Sequence, residues 1–168
     1  MFTARQLDFL LTQQPNACAQ IYGNLSHPNL RGLANFYRVS SGIILIIQVT
    51  GLPLKVGICT SPLFELHIHE GSECTGNMLD PFANAGSFYN PNRCAYPNHA
   101  GQLPPLYGTD GKAFMLTLIN GFTLEEIIGR TIIIYELPRE FAAIPFSSIK
   151  IGCGEIVEGS QCAASISL

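Results

Sequence analysis

"LFELHIHEGSEC" spans residues 63–74, and from Phe64 to His69 its apolar and polar side chains alternate strictly, which is typical of a half-buried β-strand. The apolar residues share one face of this strand, and the opposite face carries Glu65, His67 and His69. Two histidines two positions apart on a strand lie about 7 Å from each other. The stretch therefore predicts a strand whose polar face chelates one metal ion if a third donor lies nearby.

Short strand patterns recur along the chain from residue 17 onward. Alternating or β-branched runs predict strands at 17–23, 30–39, 42–53, 63–70, 113–120, 130–137 and 149–157. Turn signals such as Asp110-Gly111 and Asn120-Gly121 separate some of these strands, and residues 123–129 indicate a single helical turn. The pattern predicts an all-β fold, an antiparallel sandwich or barrel of seven or eight strands.

Two segments depart from this pattern. Residues 1–16 predict a short amphipathic helix with Leu7, Leu10 and Leu11 on one face, and Pro15 ends it. We therefore divide the chain into an N-terminal extension, 1–16, and a β-barrel domain, 17–168. Residues 71–112 are rich in Gly, Pro and Asn and predict a loop of a length that is usually functional.

The composition argues against several classes of partner. Of the 168 residues, 47% are hydrophobic and 12% are charged, and the net charge is −3, which favours neither nucleic acid nor an anionic membrane surface. No apolar run approaches the roughly 18–20 residues that span a bilayer. The N-terminus does not have the pattern of a secretory signal, which predicts a cytoplasmic protein. The alternative is an assembly at the cell surface or outside the cell, to which the chain is exported by an unrecognised route.

Several motifs resemble those of copper/zinc superoxide dismutases, particularly the bacterial ones. They are "GLP" (51–53), "HIHEGSEC" (67–74), "DPFANAGSFYNP" (80–91), "HAGQLPPL" (99–106), "FTLEEIIGRTIIIY" (122–135) and "IKIGCG" (149–154). The resemblance covers roughly residues 17–157. It implies an eight-stranded Greek-key β-barrel in which a long loop carries zinc ligands and a second loop guides superoxide to copper.

The same resemblance implies a metal centre that this chain has only partly retained. His67 and His69 match copper ligands, and His99 matches a zinc ligand. The other ligand positions of the family hold Phe88, Tyr96, Gln102 and Tyr135 here, and Arg139 replaces an aspartate that links the two metal sites. The family's two-metal site takes six histidines and one aspartate, whereas this chain has four histidines in all. We expect Phe88 and the two tyrosines to fill the space of the missing ligands.

The resemblance also assigns a cation and a disulfide. Lys150 stands where the family has an arginine that guides the anion, although a solvated charge at a strand end is an equally good interpretation. Cys74 and Cys153 match the intrasubunit disulfide of the family. The residues alone leave 15 pairings of six cysteines open. The resemblance does not assign a partner to Cys18, Cys59, Cys94 or Cys162. Disulfides between subunits are one way in which these four cysteines can pair.

Two hypotheses of function follow. The favoured one is a superoxide dismutase-like domain that is not an enzyme, carries no cofactor and has a structural or self-assembly role. The alternative is a residual dismutase or a mononuclear protein that binds one copper or zinc ion with His67 and His69.

Self-assembly is expected because "GIILIIQV" (42–49) and "TIIIY" (131–135) are apolar on both faces, so that at least one of these strands exposes isoleucines unless something covers them. The expected partner is the chain itself, in a homo-oligomer or a filament. The alternative is that the N-terminal helix covers one of these faces within its own subunit.

Overall fold

The computed structural model describes residues 3–54, 62–137 and 149–162. The chain begins with a helix and continues as a series of strands: α1 (Ala4–Thr12), β1 (Ala17–Gly23), β2 (Arg31–Val39), β3 (Gly42–Thr50), β4 (Leu63–His69), β5 (Gln102–Tyr107), β6 (Lys112–Ile119), α2 (Leu124–Ile127), β7 (Thr131–Glu136) and β8 (Ile149–Glu158). Single 3-10 turns lie at Ala83–Ala85 and Gly159–Gln161. Within these described ranges, no helix is long and apolar enough to cross a membrane.

The strands form one antiparallel sheet in the order β5-β4-β7-β8-β1-β2-β3-β6. β5 and β6 are the ends of this order, and they approach each other, so that the sheet curls into a nearly closed barrel. The barrel encloses large apolar side chains such as Phe36, Leu45, Phe64 and Leu66, all essentially inaccessible to solvent. The predicted all-β, eight-stranded fold with a short N-terminal helix is confirmed.

β5 lies inside the segment for which the sequence predicts a loop, and that prediction is wrong for residues 102–107. Pro104 and Pro105 hide the strand signal, because proline has no backbone N–H to donate to a neighbouring strand. Proline is tolerated on an edge strand, and β5 pairs only with β4 in the sheet order. Leu103 and Leu106 anchor β5 by pointing into the barrel.

The isoleucines of β3 and β7 are buried, so the prediction of exposed isoleucines is wrong. On β3, Ile44 and Ile46 pack against Tyr37 and against Leu10 and Leu11 of α1. The helix therefore covers this face within its own subunit, as the alternative interpretation proposed. The sequence-based division at residue 17 stays a prediction.

The outer face of β7 is covered by the long loop between β4 and β5. Ile133 and Tyr135 pack against Phe82 and Ala85 of this loop, and Cys153 of β8 completes the cluster. Ile132, Ile133 and Ile134 are fully buried.

Two disulfides tie the ends and the long loop to the barrel. Cys74 and Cys153 are bonded with their Cα atoms 5.6 Å apart, which is the pairing that the resemblance implied. Cys18 of β1 is bonded to Cys162, so that these two cysteines are joined within the chain and not between subunits. In the described part of the chain Cys94 is the free cysteine, and it is exposed. Cys59 lies outside the described residues.

Candidate metal centre

β4 presents its polar face to the underside of the long loop. His67 and His69 have 1% and 2% of their surface exposed, although they lie on the outer face of the barrel. Across the sheet, Gln102 of β5 lies opposite His67, and Thr131 of β7 lies opposite His69. The loop contacts the end of β4 through an isolated bridge between Phe88 and His69. The histidines are therefore buried by the loop that, in the resemblance, carries the zinc ligands.

Both ring nitrogens of His69 are engaged in hydrogen bonds to the protein. Nδ1 lies 2.8 Å from the Gly86 carbonyl oxygen, which only accepts, so Nδ1 carries the proton and donates it. Nε2 is then unprotonated and accepts from the Tyr135 hydroxyl at 2.8 Å. Burial, and then the charges of Asp80 and Glu65, raise the pKa of Tyr135, so that the phenol keeps the proton it donates. The lone pair with which His69 would bind copper is therefore occupied.

Phe88 lies among the three histidines of the expected centre. Its ring centroid is 4.5 Å from that of His67, 4.9 Å from that of His69 and 5.5 Å from that of His99. The Tyr135 ring lies 5.4 Å from His67 and 5.9 Å from His69. These separations are those of packed aromatic pairs. Phe88 and Tyr135 thus occupy the space beside the two histidines, as expected.

His67 differs from His69 because its ring nitrogens are not satisfied. Within the described residues, neither Nδ1 nor Nε2 has a hydrogen-bond partner. The nearest carboxylate oxygen belongs to Glu65, 3.6 Å from Nε2, which is longer than a hydrogen bond. Burial lowers the pKa of His67, and the Glu65 charge opposes this effect in part. A buried unsatisfied nitrogen costs about 1–3 kcal/mol and often marks the place of a water molecule or an ion.

The residues on the zinc side of the expected centre do not converge. Tyr96 is 50% exposed, and its hydroxyl lies 3.4 Å from Glu65, so it does not fill the space of a buried histidine as expected. The His99 ring lies 6.0 Å from the Tyr96 ring. Gln102 Oε1 and His99 Nδ1 are buried and have no hydrogen-bond partner among the described residues. Arg139 lies outside the described residues.

Lys150 is paired with an acid of the long loop. Its ammonium group donates to Asp80 Oδ2 at 2.7 Å and to the Phe82 carbonyl oxygen at 3.2 Å, and 15% of its side chain is exposed. Because Asp80 neutralises this charge, Lys150 is neither a free anion guide nor a solvated strand-end charge. Its contacts instead tie the loop to β8. The sequence does not reveal this pair because its members are 70 positions apart.

The side chains present do not fit the two-metal centre that the resemblance implies. Phenylalanine offers no donor atom at the bridging position, and the Tyr135 hydroxyl is already bound to the nitrogen of His69 that would coordinate copper. Across the described ranges, no three His, Cys, Asp or Glu side chains are grouped so that they could hold a metal ion. The contacts that the described side chains make at this centre are hydrogen bonds and ring packing.

The buried His69 makes stability depend on pH. Burial lowers the pKa of His69 to about 4, the hydrogen bond to Gly86 opposes this effect, and the charge of Lys150 adds to it. An unfolded histidine titrates near pH 6.5, so between about pH 6.5 and 4 the unfolded chain binds more protons than the folded one. The contribution of His69 to the free energy of unfolding is therefore greatest above pH 6.5, and it falls by roughly 2–3 kcal/mol as the pH drops to 4.

Urea unfolding at a series of pH values measures this effect. His67 contributes with the same sign, because its pKa is also lowered. We expect His69→Gln to flatten the pH profile relative to the wild type. Equal slopes for the wild type and His69→Gln between pH 6.5 and 4 would show that the titration of His69 is not the cause.

One comparison with known proteins identifies the family. The family model described as copper/zinc superoxide dismutase (SODC) matches residues 31–156, which is about three quarters of the chain. No curated protein matches this sequence. The matched residues run from the start of β2 into β8 and include β4, the long loop and the bonded pair Cys74 and Cys153. The chain therefore belongs to the copper/zinc superoxide dismutase family.

Proposed function

We propose that this chain is a non-catalytic superoxide dismutase-like domain with a structural or self-assembly role. The observation that carries the proposal is the hydrogen bond from the Tyr135 hydroxyl to Nε2 of His69, because it occupies the nitrogen that copper would need. Superoxide dismutation requires a metal that alternates between two oxidation states. Phe88 has no donor atom for such a metal, and the Tyr135 hydroxyl, whose ring packs against Phe88, is already bonded to His69.

Three contacts support the view that packing has replaced metal ions as the support of the long loop. Phe82 and Ala85 of the loop are buried against β7, and the Cys74–Cys153 disulfide ties the loop to β8. The third contact is the ion pair of Asp80 with Lys150. A loop that is held in these ways does not need a zinc ion to keep its place.

The disulfides bear on where the protein works. Disulfides persist in oxidising environments and are rare in the cytosol, and this chain has two of them in its described residues. Of the two locations that we expect from the sequence, they favour the surface or extracellular one.

A thermal unfolding experiment with and without a chelator tests the proposal. A metal that binds only the folded chain raises its melting temperature in proportion to the logarithm of metal concentration over Kd. We expect the same melting temperature, within about 2 °C, in EDTA and in a small excess of copper and zinc. The proposal would be contradicted if metal raised the melting temperature by several degrees and His69→Gln abolished this rise. The control is His27→Gln, which lies outside the site and should retain the rise.

A second candidate function is the binding of a single copper or zinc ion by His67. The observation that favours it is the pair of buried His67 nitrogens without partners, with the Glu65 carboxylate 3.6 Å from one of them. His69 was expected to share such an ion, but its nitrogens are engaged by Gly86 and Tyr135. This candidate predicts that the wild type and His69→Gln each bind one equivalent of metal. The variants His67→Ala and Glu65→Gln should bind none. Isothermal titration with each metal distinguishes it from the main proposal.

A further inference from the structure

A shallow cavity lies on the outside of the barrel, where β3 and β5 end and β6 begins. Its volume is about 710 Å³, within the range of about 300–1,000 Å³ that is usual for small-molecule sites. Tyr107 and Phe114 line this cavity, and they have 65% and 55% of their surface exposed. A ligand that covers these two rings gains the free energy of removing apolar surface from water. We call this site the β3–β6 cavity.

Polar side chains surround the two rings. Gln48 lies directly opposite Phe114 in the pairing of β3 with β6, and Thr50 lies opposite Lys112. Side chains in such positions start about 5 Å apart. Thr109 lines the cavity from the turn between β5 and β6, where its backbone pairs with that of Lys112. The cavity therefore combines apolar ring faces with amide, hydroxyl and ammonium groups.

These polar groups are available to a ligand. Across the described ranges, the side chains of Gln48, Thr109 and Lys112 make no hydrogen bond or ion pair with the protein. The Thr50 hydroxyl lies 3.5 Å from the Arg31 carbonyl oxygen, which is longer than an ordinary hydrogen bond. Amide and hydroxyl groups each donate and accept. The cavity thus offers the mixture of donors and acceptors that a ligand rich in hydroxyl groups requires.

The cavity is built on paired strands. Val49 of β3 and Ala113 of β6 are paired beneath it, and only 1% and 8% of their surface is exposed. A site on strands holds its side chains more precisely than a site on loops. The rings and polar groups are therefore in place before a ligand arrives, which lowers the entropy cost of binding.

We infer that the β3–β6 cavity binds a neutral oligosaccharide of β-linked pyranose rings. A pyranose whose substituents are equatorial presents carbon-bound hydrogens on its faces and hydroxyl groups around its edge. The faces fit the exposed rings of Tyr107 and Phe114, and the hydroxyl groups fit the polar side chains beside them. The inference goes beyond the proposed function and does not rest on it.

Charge distinguishes a neutral sugar from a nucleic acid as the ligand. Single strands also stack on aromatic rings, but they need a basic groove along their phosphates. Among the described residues that line the cavity, Lys112 is the one cation. Arg31 of the neighbouring β2 donates to the Pro28 and Leu30 carbonyl oxygens at 2.8 and 2.7 Å. Its guanidinium group lies over the Tyr22 ring and is thus already engaged.

The polar groups argue against an apolar ligand as well. A lipid chain in the β3–β6 cavity would bury the Gln48 amide and the Lys112 ammonium group without hydrogen-bond partners. Burial of such groups is unfavourable unless their hydrogen bonds to water are replaced. A sugar replaces these bonds with its own hydroxyl groups.

Isothermal titration with cellohexaose and with chitohexaose, each added up to about 10 mM, tests the inference. We expect the wild type to bind at least one of them, and Tyr107→Ala and Phe114→Ala each to weaken binding roughly tenfold. Tyr107→Phe keeps the ring and should retain most of the affinity. Gln48→Leu keeps the shape but removes the amide, and it should weaken binding severalfold. The control is Tyr22→Ala, which removes an exposed ring outside the cavity and should bind like the wild type.

Saturation-transfer NMR on the wild type gives a readout that does not depend on any variant. Stacking on Tyr107 and Phe114 predicts that the carbon-bound protons of one sugar face receive more saturation than those of the other face. Far-ultraviolet circular dichroism of each variant shows whether its fold is intact, so that lost binding is not confused with lost structure.

Three results would overturn the inference. The first is that neither oligosaccharide binds, and the second is binding that both Tyr107→Ala and Phe114→Ala retain. The third is that proline decapeptide or oligothymidylate binds through these rings while the sugars do not. None of these results depends on metal or on catalysis, so failure here leaves the non-catalytic proposal standing. Conversely, dismutase activity would overturn the proposed function and leave this inference intact.

Discussion

Replacement of both Cys74 and Cys153 by alanine will lower the free energy of unfolding by about 4 kcal/mol. The two residues are 79 positions apart, so that their bond closes a long loop in the unfolded chain and reduces its conformational entropy. In the folded chain the bond joins the long loop to β8, where Cys153 is 1% exposed. Alanine is the better replacement at this buried position, because a serine hydroxyl would add an unsatisfied polar group.

Thermal unfolding followed by circular dichroism measures this effect. A loss of about 4 kcal/mol lowers the melting temperature of a chain of this size by roughly 10 °C. Cys94→Ala is the matched control, since it removes an exposed free thiol and should change stability by less than about 0.5 kcal/mol. If the double variant has the same melting temperature as the control, the disulfide does not support the long loop as we infer.

The protein loaded with copper will not dismutate superoxide faster than the same amount of copper held by a simple chelator. The reason is the set of replaced ligands, above all Phe88 and Tyr135, which pack where metal ligands are expected. Against an active enzyme of this family, the expected loss is many orders of magnitude. A dismutase assay that compares the loaded wild type with His67→Ala should show no difference between them.

The outcome that would contradict this prediction is copper-dependent turnover that His67→Ala abolishes and Cys94→Ala retains. Such a result would place a working copper ion on β4 and would favour a residual dismutase. The assay is informative in either direction because Cys94 lies in an exposed loop position outside the histidine cluster.

The barrel could be predicted from the sequence because its strands carry local signals. The alternation in β4 and the β-branched run of β3 indicate strands wherever they occur, and both strands are found in the structure. β5 could not be predicted in this way, because Pro104 and Pro105 suppress its pattern. The strand exists because Leu103 and Leu106 are buried in the barrel, which is a property of the whole fold.

The site was predictable in its residue types and in the packing of Phe88 and Tyr135 beside the histidines, and not in its hydrogen bonds and its ion pair. Motif order identified His67, His69 and the replaced positions, but the bond between Tyr135 and His69 joins residues that are 66 positions apart. The Lys150–Asp80 pair depends on tertiary structure in the same way. The burial of Ile44 and Ile46 depends on where α1 lies, and an amphipathic pattern does not specify which surface a helix covers.

The central claim is that hydrogen bonds and ring packing have replaced the metal ions of this family in this chain. Elemental analysis tests it most directly, on protein that has been incubated with copper and zinc and then passed over a chelating resin. The account predicts that neither metal is retained near one equivalent. Retention of one equivalent each of copper and zinc, with copper lost in His69→Gln, would contradict it.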